Sequence, residues 1–220
     1  MLRFDLRAIP AIDRYKLLTG LVVPRPIALV TSLSKDGVVN AAPFSFFNVF
    51  AEDPGIVVLG INARADGTVK DTVRHVRDSG WFAVNLVDED LAAAMNDCAV
   101  DFPPGTSEPE TLGLALAAGT HIPVPHLAAA PAVLECRKMM MINIGPERDL
   151  VLGEILGIAV RDGVVDPQTL RVDFAAYRPV GRLVGSLYAR QHDRFSMTRE
   201  SFAEWSKRTG NGSASHGTGA

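Results

Sequence analysis

The stretch RPIALVTSLSKDGVVNAAPFSFFNVFAEDPGIVVLGI, Arg25 to Ile61, holds the pattern that decides the fold. Ile27, Leu29, Thr31 and Leu33 alternate with Pro26, Ala28, Val30 and Ser32, which predicts a strand from about Pro26 to Leu33 whose two faces stay apolar almost to its end. Lys35-Asp36-Gly37 follows as a turn of the Asp-Gly type and predicts a hairpin into Val38-Val39-Asn40. From Ala41 to Phe50 the content is again strand-like, but Pro43 lacks an amide donor and pushes its segment to an edge, a bulge or a loop. That segment ends at Asp53-Pro54-Gly55, after which Ile56 to Ile61 reads as a further buried strand.

Beyond the polar residues Asn62 to Gly67 the period changes. Val69, Val73 and Val76 fall at i, i+4 and i+7, with Lys70, Arg74, Arg77 and Asp78 opposite, so a short amphipathic helix is expected. Thr68 or Asp71 can cap its start and Gly80 can close its end. Trp81 to Val87 returns to a strand pattern. Asp88 then starts an expected second helix, with Glu89 and Asp90 at the positive end of its dipole and an alanine-rich body from Leu91 to Cys98. Asp101 to Pro109 reads as an irregular loop leading into a weak helix over Leu112 to Ala118. Ala132 to Lys138, Met139 to Ile144 and Leu150 to Val160 are three expected strands, joined at Gly145-Pro146 and followed by a turn at Arg161-Asp162-Gly163. Strands with short joints suggest a meander or closed barrel, in which closure removes exposed edges, with helices along one side. Asn211 to Ala220 has little to bury and is expected to be a mobile tail.

A chain of 220 residues with 47% hydrophobic and 21% charged residues can bury a core and is expected to form one domain. Its 22 basic and 25 acidic residues give a net charge of −3, which leaves no electrostatic footprint for nucleic acid. Cys98 and Cys136 stand far apart without Cys-x-x-Cys spacing, against a disulfide scaffold or zinc ribbon. Met1 to Pro10 carries Arg3, Asp5 and Arg7, so no signal-peptide core is present there, and no apolar run is long enough to span a membrane. A cytoplasmic protein is the resulting expectation.

Candidate chemistry concentrates between Thr31 and Thr72. Lys70-Asp71-Thr72 at a helix start combines a cation, a hydroxyl and unpaired backbone N–H groups, the arrangement by which helix N-termini hold phosphate. Arg64 can add a forked contact, and Thr31 and Ser32 at a strand end add hydroxyls. Read blandly, the same tripeptide is only a helix cap. In Asn40-Ala41-Ala42-Pro43-Phe44-Ser45-Phe46-Phe47 the small residues let backbone approach a ligand and Pro43 frees neighbouring groups from the ladder. Phe44, Phe46, Phe47 and Phe50 read, for the most part, better as core aromatics than as ligand contacts, whereas Ser45 needs a partner if buried. His121 and His126 bracket two prolines that exclude a helical metal pair, so no metal site is expected. Tyr188 to Arg194, with His192, could meet a nicotinamide, a partner subunit or solvent. Neither Gly-x-Ser-x-Gly nor Gly-x-Gly-x-x-Gly occurs, against a serine hydrolase or a Rossmann dehydrogenase.

Taken in order, Arg25-Pro26-Ile27-Ala28-Leu29-Val30-Thr31-Ser32, Asn40-Ala41-Ala42-Pro43-Phe44-Ser45, Asp53-Pro54 and Lys70-Asp71-Thr72 resemble the flavin-reductase-like family. The likeness continues through Trp81-Phe82-Ala83-Val84-Asn85, Ala130-Pro131-Ala132-Val133-Leu134-Glu135-Cys136 and Gly185-Ser186-Leu187-Tyr188-Ala189-Arg190. It departs at His126, where related chains often carry arginine, and at Gly185-Ser186, where a glycine pair is frequent.

The resemblance implies a mainly β fold with flanking α elements, a split β-barrel that binds FMN, usually as a homodimer. It implies an N-terminal extension over 1–19, the FMN-binding domain over 20–199 and a C-terminal segment over 200–220. Thr31, Ser32, Ala42, Phe44, Ser45, Lys70, Asp71 and Thr72 become the expected FMN neighbours, with Asn40, Arg64 and Tyr188 beside them. The implied activity is that of an NAD(P)H-dependent flavin reductase: hydride passes from NADH or NADPH to bound FMN, and onward to free flavin or a monooxygenase component. No side-chain acid or base is required, because the cofactor carries the chemistry and the protein aligns the rings. Alternatives are a split-barrel oxidase or reductase acting directly on a small organic substrate, as in the related pyridoxamine-phosphate oxidases, and a flavin- or haem-binding module without turnover.

Overall fold

The chain runs through helix α1 (Ala11–Leu21), strands β1 (Ala28–Leu33), β2 (Val39–Phe44), β3 (Phe47–Glu52) and β4 (Gly55–Asn62), and helix α2 (Asp71–Ser79). Strand β5 (Trp81–Leu86), helices α3 (Ala92–Asp97) and α4 (Glu108–Thr111) and a short pair β6 (Leu116–Ala117) and β7 (His126–Leu127) follow. The long strands β8 (Ala132–Asn143) and β9 (Arg148–Val160), a second short pair β10 (Val180–Arg182) and β11 (Tyr188–Arg190), and helix α5 (Phe202–Thr209) complete it. This computed structural model describes residues 1–145 and 147–209. The expected tail over Asn211 to Ala220 lies outside the described residues, as does Pro146 of the expected Gly145-Pro146 turn.

Seven strands form one antiparallel sheet in the order β2-β1-β5-β8-β9-β4-β3. The Asp-Gly hairpin forms as read, with Ser32 opposite Asn40 and Gly37 at a φ of 83°, a region open to glycine without strain. Pro43 sits in β2 opposite Leu29, and β2 is an edge strand, so its missing donor can be accommodated. The two edges, β2 and β3, are neighbours in sequence and only Ser45 and Phe46 separate them. Such a short joint forces the sheet to curl until its edges face each other. β2 and β3 are joined by chain and not by a ladder, and the Gly60 N–H of β4 donates to the Phe46 carbonyl at 2.7 Å, which carries the β3–β4 pairing one residue into the joint. A Cβ at Gly60 would stand 3.1 Å from that of Phe46, so a side chain there would press Phe46 back by a few tenths of an ångström.

Both faces of β1, β5 and β8 are covered, which explains the doubly apolar run before Leu33. On one face Ala28, Val30, Phe82, Val84 and Leu134 pack with Val57, Leu59 and Val151 and with Val73 and Val76 of α2. On the other, Leu29, Ala83 and Val133 meet Met95, Val124 and Leu127.

Several boundaries differ from the sequence expectation. α2 starts at Asp71, with Lys70 as its N-cap, and neither Thr68 nor Asp71 caps it. Thr68 instead gives both its N–H and its hydroxyl to the Asp66 carboxylate, at 2.9 and 2.6 Å, which holds it in the preceding turn. Gly80 closes the helix in the left-handed region as expected. The helix expected from Asp88 is confined to Ala92–Asp97, because Asp88 lies upstream and accepts from the Leu91 N–H at 3.1 Å and from Arg161 at 2.9 Å. The weak helix expected over Leu112 to Ala118 is displaced to Glu108–Thr111, where Ser107 accepts from the Glu110 N–H, and Gly113 turns the chain towards β6. The two strands expected from Ala132 to Ile144 are the single strand β8, with irregularities after Glu135 and after Lys138 that let a long strand bend. α1, unforeseen in the sequence, crosses the expected boundary at residue 19.

Candidate active site

Three cavities lie in succession along α3. The inner one, of about 110 Å³, is bounded by the start of α2, by Asn40, Ala42 and Pro43 of β2, by Arg64 and Glu108, and by Cys98 to Phe102. The middle one, of about 210 Å³, is lined by Phe44, Ser45, Asn96, Arg182 and Tyr188 among others, and it shares Pro43 and Ala99 with the inner cavity. The outer one, of about 390 Å³, shares Met95 and Tyr188 with the middle and opens past Glu89 and Arg190.

The inner cavity has the character of an anion site. α2 presents the positive end of its dipole without a side-chain cap, so its first-turn N–H groups remain available to a ligand. Asp71 spends its carboxylate on Arg64, at 3.0 Å, and on Arg74, which leaves the Lys70 ammonium outside that network. The ammonium lies 5.7 Å from the centre of the Phe44 ring. Burial pulls its pKa below the ordinary lysine value of 10.5, with Asp101 opposing and Arg64 reinforcing the effect. Asn40 donates its amide to Thr72 Oγ1 at 3.0 Å, so the Thr72 proton is left to point elsewhere. Asp71 therefore serves this site by fixing Arg64; a carboxylate could not itself contact an anion favourably.

Of the eleven expected residues, Asn40, Ala42, Arg64, Lys70, Asp71 and Thr72 line the inner cavity and Phe44, Ser45 and Tyr188 the middle one. Thr31 and Ser32 line neither. Thr31 Oγ1 accepts from the Asn85 amide at 3.3 Å, and Ser32 is bonded to His75 Nδ1 at 3.2 Å, each on its own face of β1. Their hydroxyls satisfy buried polar neighbours in the core.

Glu108, which the sequence did not single out, is a buried carboxylate on the inner cavity that accepts from the Ala41 N–H at 2.8 Å. Burial pushes its pKa up, against the pull of that amide. It opens α4 within the acidic, proline-dense stretch Asp101 to Pro109, which has no periodicity, so only the fold reveals it. Cys98 also lines this cavity, but burial pushes its thiol up to about 12, which keeps it protonated and unreactive.

In the middle cavity Arg182 stacks on Tyr188, 4.5 Å from the ring centre, and its guanidinium also reaches the Tyr188 hydroxyl and the Gly185 carbonyl. Phe44 and Tyr188 give the cavity aromatic surface. The histidines stand outside it: His121 bonds buried Glu135 at 2.8 Å, His126 the Leu127 carbonyl at 3.2 Å, and His192 lies against Glu89. Among the described residues no three His, Cys, Asp or Glu side chains could hold a metal ion, and no helix is long and apolar enough to cross a membrane.

A flavin mononucleotide is a flat ring joined through a short polyol to a phosphate. The donors fit it: an uncapped helix start with Lys70 and Thr72 for the phosphate, and beside it, sharing Pro43 and Ala99, an aromatic-walled slot for the ring.

The flavin reductase like domain family matches residues 20–181. The 2-nitrobenzoate 2-nitroreductase of Pseudomonas fluorescens superposes with a TM-score of 0.84 at 38% identity, over 91% of this chain and 98% of that one. Nitrilotriacetate monooxygenase component B of Bacillus cereus does so with 0.85 at 34% identity, over 90% and 98%. A split barrel domain protein of Shewanella frigidimarina shares the fold at 16% identity, with a TM-score of 0.77 over 91% and 100%. The chain belongs to the flavin-reductase-like family of split-barrel proteins.

Proposed function

We infer that the chain is an FMN-dependent oxidoreductase of the NAD(P)H:flavin reductase type, which passes electrons to free flavin or to a monooxygenase component. The observation that carries this reading is that the inner and middle cavities are neighbours sharing Pro43 and Ala99 in their linings, an anion site beside a ring slot. When bound, FMN would supply the acceptor for a hydride. Lys70, Thr72 and the start of α2 hold the phosphate, with Arg64 steadied by Asp71. Phe44 and Tyr188 wall the slot, and backbone from Ala42 to Ser45 borders its edge. Arg182 lines the same slot and would add positive potential to it, which favours the negative charge that reduction of a bound flavin builds.

A titration with NADH and with NADPH, followed by flavin absorbance, tests this. Bleaching by either nucleotide with return of the colour in air is expected. Absence of reduction by both, in protein that binds FMN, would leave only a cofactor-holding module.

The outer cavity favours a second reading, direct reduction of a small organic substrate. At about 390 Å³ it adjoins the ring slot through Met95 and Tyr188 and has room for such a molecule. The 2-nitrobenzoate 2-nitroreductase at 38% identity supports it. Nucleotide oxidation that depends on a nitroaromatic and not on free flavin would select it.

A homodimer is supported by exposed apolar side chains on two strands, Val49 and Phe50 of β3 and Met139, Met140 and Ile142 of β8, with Phe46 at the seam. Sedimentation of the FMN-loaded protein at twice the chain mass is expected.

A further inference from the structure

Arg25 is only 6% exposed, yet none of its hydrogen-bond partners is a carboxylate. Nη1 donates to the carbonyls of Thr19 at 2.6 Å and Val22 at 3.1 Å, and Nη2 donates to that of Leu183 at 2.8 Å. Nε donates to Ser45 Oγ at 3.3 Å. The guanidinium is solvated by dipoles and its full charge is not cancelled by an anion, an arrangement that costs desolvation energy. Arginine stays protonated even so.

The charge faces the middle cavity through one side chain. Arginine can only donate, so Ser45 must accept from Nε, and its own proton is left to donate to something else. Ser45 lines the middle cavity, so that proton is free to donate to a group in the ring slot. Arg182 also lines the slot, but it is half-exposed and already engaged by Tyr188 and the Gly185 carbonyl. A buried charge is screened less than an exposed one.

Resting on the flavin reading above, we propose that Arg25 is a positioning residue that acts through Ser45 to favour the reduced, negatively charged form of the flavin over the oxidised form. Its contacts with Thr19, Val22 and Leu183 also tie the end of α1 to the segment after β10, so a purely structural clamp is the competing account. The two differ in what charge does at fixed fold.

The test uses the full chain loaded with FMN. Affinity for oxidised FMN is measured first, and failure of the wild type to bind would sink the flavin reading itself. The midpoint potential of bound FMN is then compared in the wild type and in Arg25→Lys, Arg25→Gln and Ser45→Ala, each checked for fold by circular dichroism. Arg25→Gln is expected to weaken binding of the reduced form, relative to the oxidised form, by about tenfold, a two-electron potential lower by about 30 mV. Arg25→Lys keeps the charge and should stay near the wild type, while Ser45→Ala, which breaks the link, shifts in the same direction as Arg25→Gln and at least as far. A wild-type potential in folded Arg25→Gln overturns the proposal, and so do equal falls in the Lys and Gln variants. If Arg25→Gln does not fold, Ser45→Ala decides: a lower potential supports the proposal and an unchanged one overturns it.

Discussion

The inner and middle cavities touch at Pro43 and Ala99 but are built by different means. The inner takes its cation, hydroxyl and helix start from Arg64 to Thr72, one continuous segment whose hydrogen bonds fix the entry into α2. The middle draws Tyr15, Ser45, Asn96, Arg182 and Tyr188 from the N-terminal helix, the seam of the sheet, α3 and the late β10–β11 hairpin. Local sequence can specify a site for a charged group, because a helix start and its flanking side chains carry their own field. A slot for a flat ring has no local solution and depends on several distant elements arriving at one place.

This contrast makes the two ends separable by experiment. The largest effect is expected from Lys70→Ala combined with Thr72→Ala, which should weaken FMN binding by about 1.5–3 kcal/mol, the worth of a charge-assisted hydrogen bond. Riboflavin, which has the ring and no phosphate, should bind the variant as it binds the wild type. Equal losses for both ligands in a fluorescence titration would break the division between the ends.

Tyr188→Ala should do the reverse, reducing FMN and riboflavin affinity alike by about 0.5–1.5 kcal/mol, the worth of an aromatic contact. A loss confined to FMN would move Tyr188 to the phosphate side. Raising the salt concentration should produce a smaller change, weakening FMN binding while leaving riboflavin nearly unaffected, since screening acts on the charged end.

Glu108 sharpens the inner end through pH. Its carboxyl is held above the ordinary value of 4.5 mainly by burial, so the folded state binds that proton more tightly than the unfolded chain does. The resulting stability is fully present below 4.5 and is lost as pH rises through the raised value. Denaturation of the flavin-free protein across this window should show a declining contribution that Glu108→Gln removes while keeping an acceptor for the Ala41 amide. An unchanged slope in that variant would assign the pH dependence to another group.

Much of the fold was legible because its signals are local. Asp36-Gly37 specified the first hairpin, Pro43 narrowed its segment to an edge, a bulge or a loop, of which the edge is found, and Val73 and Val76 marked the buried side of α2, with Val69 exposed before its start. β8 was read as two strands because its irregularities, which only pairing with β9 defines, look like breaks in periodicity. Thr31 and Ser32 illustrate the converse error. Hydroxyls at a strand end look like ligand donors until the fold shows them buried beside Asn85 and His75, far away in sequence, and on neither cavity.

By itself the sequence determined the antiparallel strand pattern, the cationic start of α2 and the family to which the chain belongs, since each rests on residues within a few positions of one another or on their order. Tertiary structure alone decided which hydroxyls reach a cavity, that Glu108 closes the inner end and that Arg25 stands behind Ser45. Those outcomes depend on how a curled sheet brings its two edges together, and the partners that claim a buried polar group lie too far along the chain for local pattern to name them.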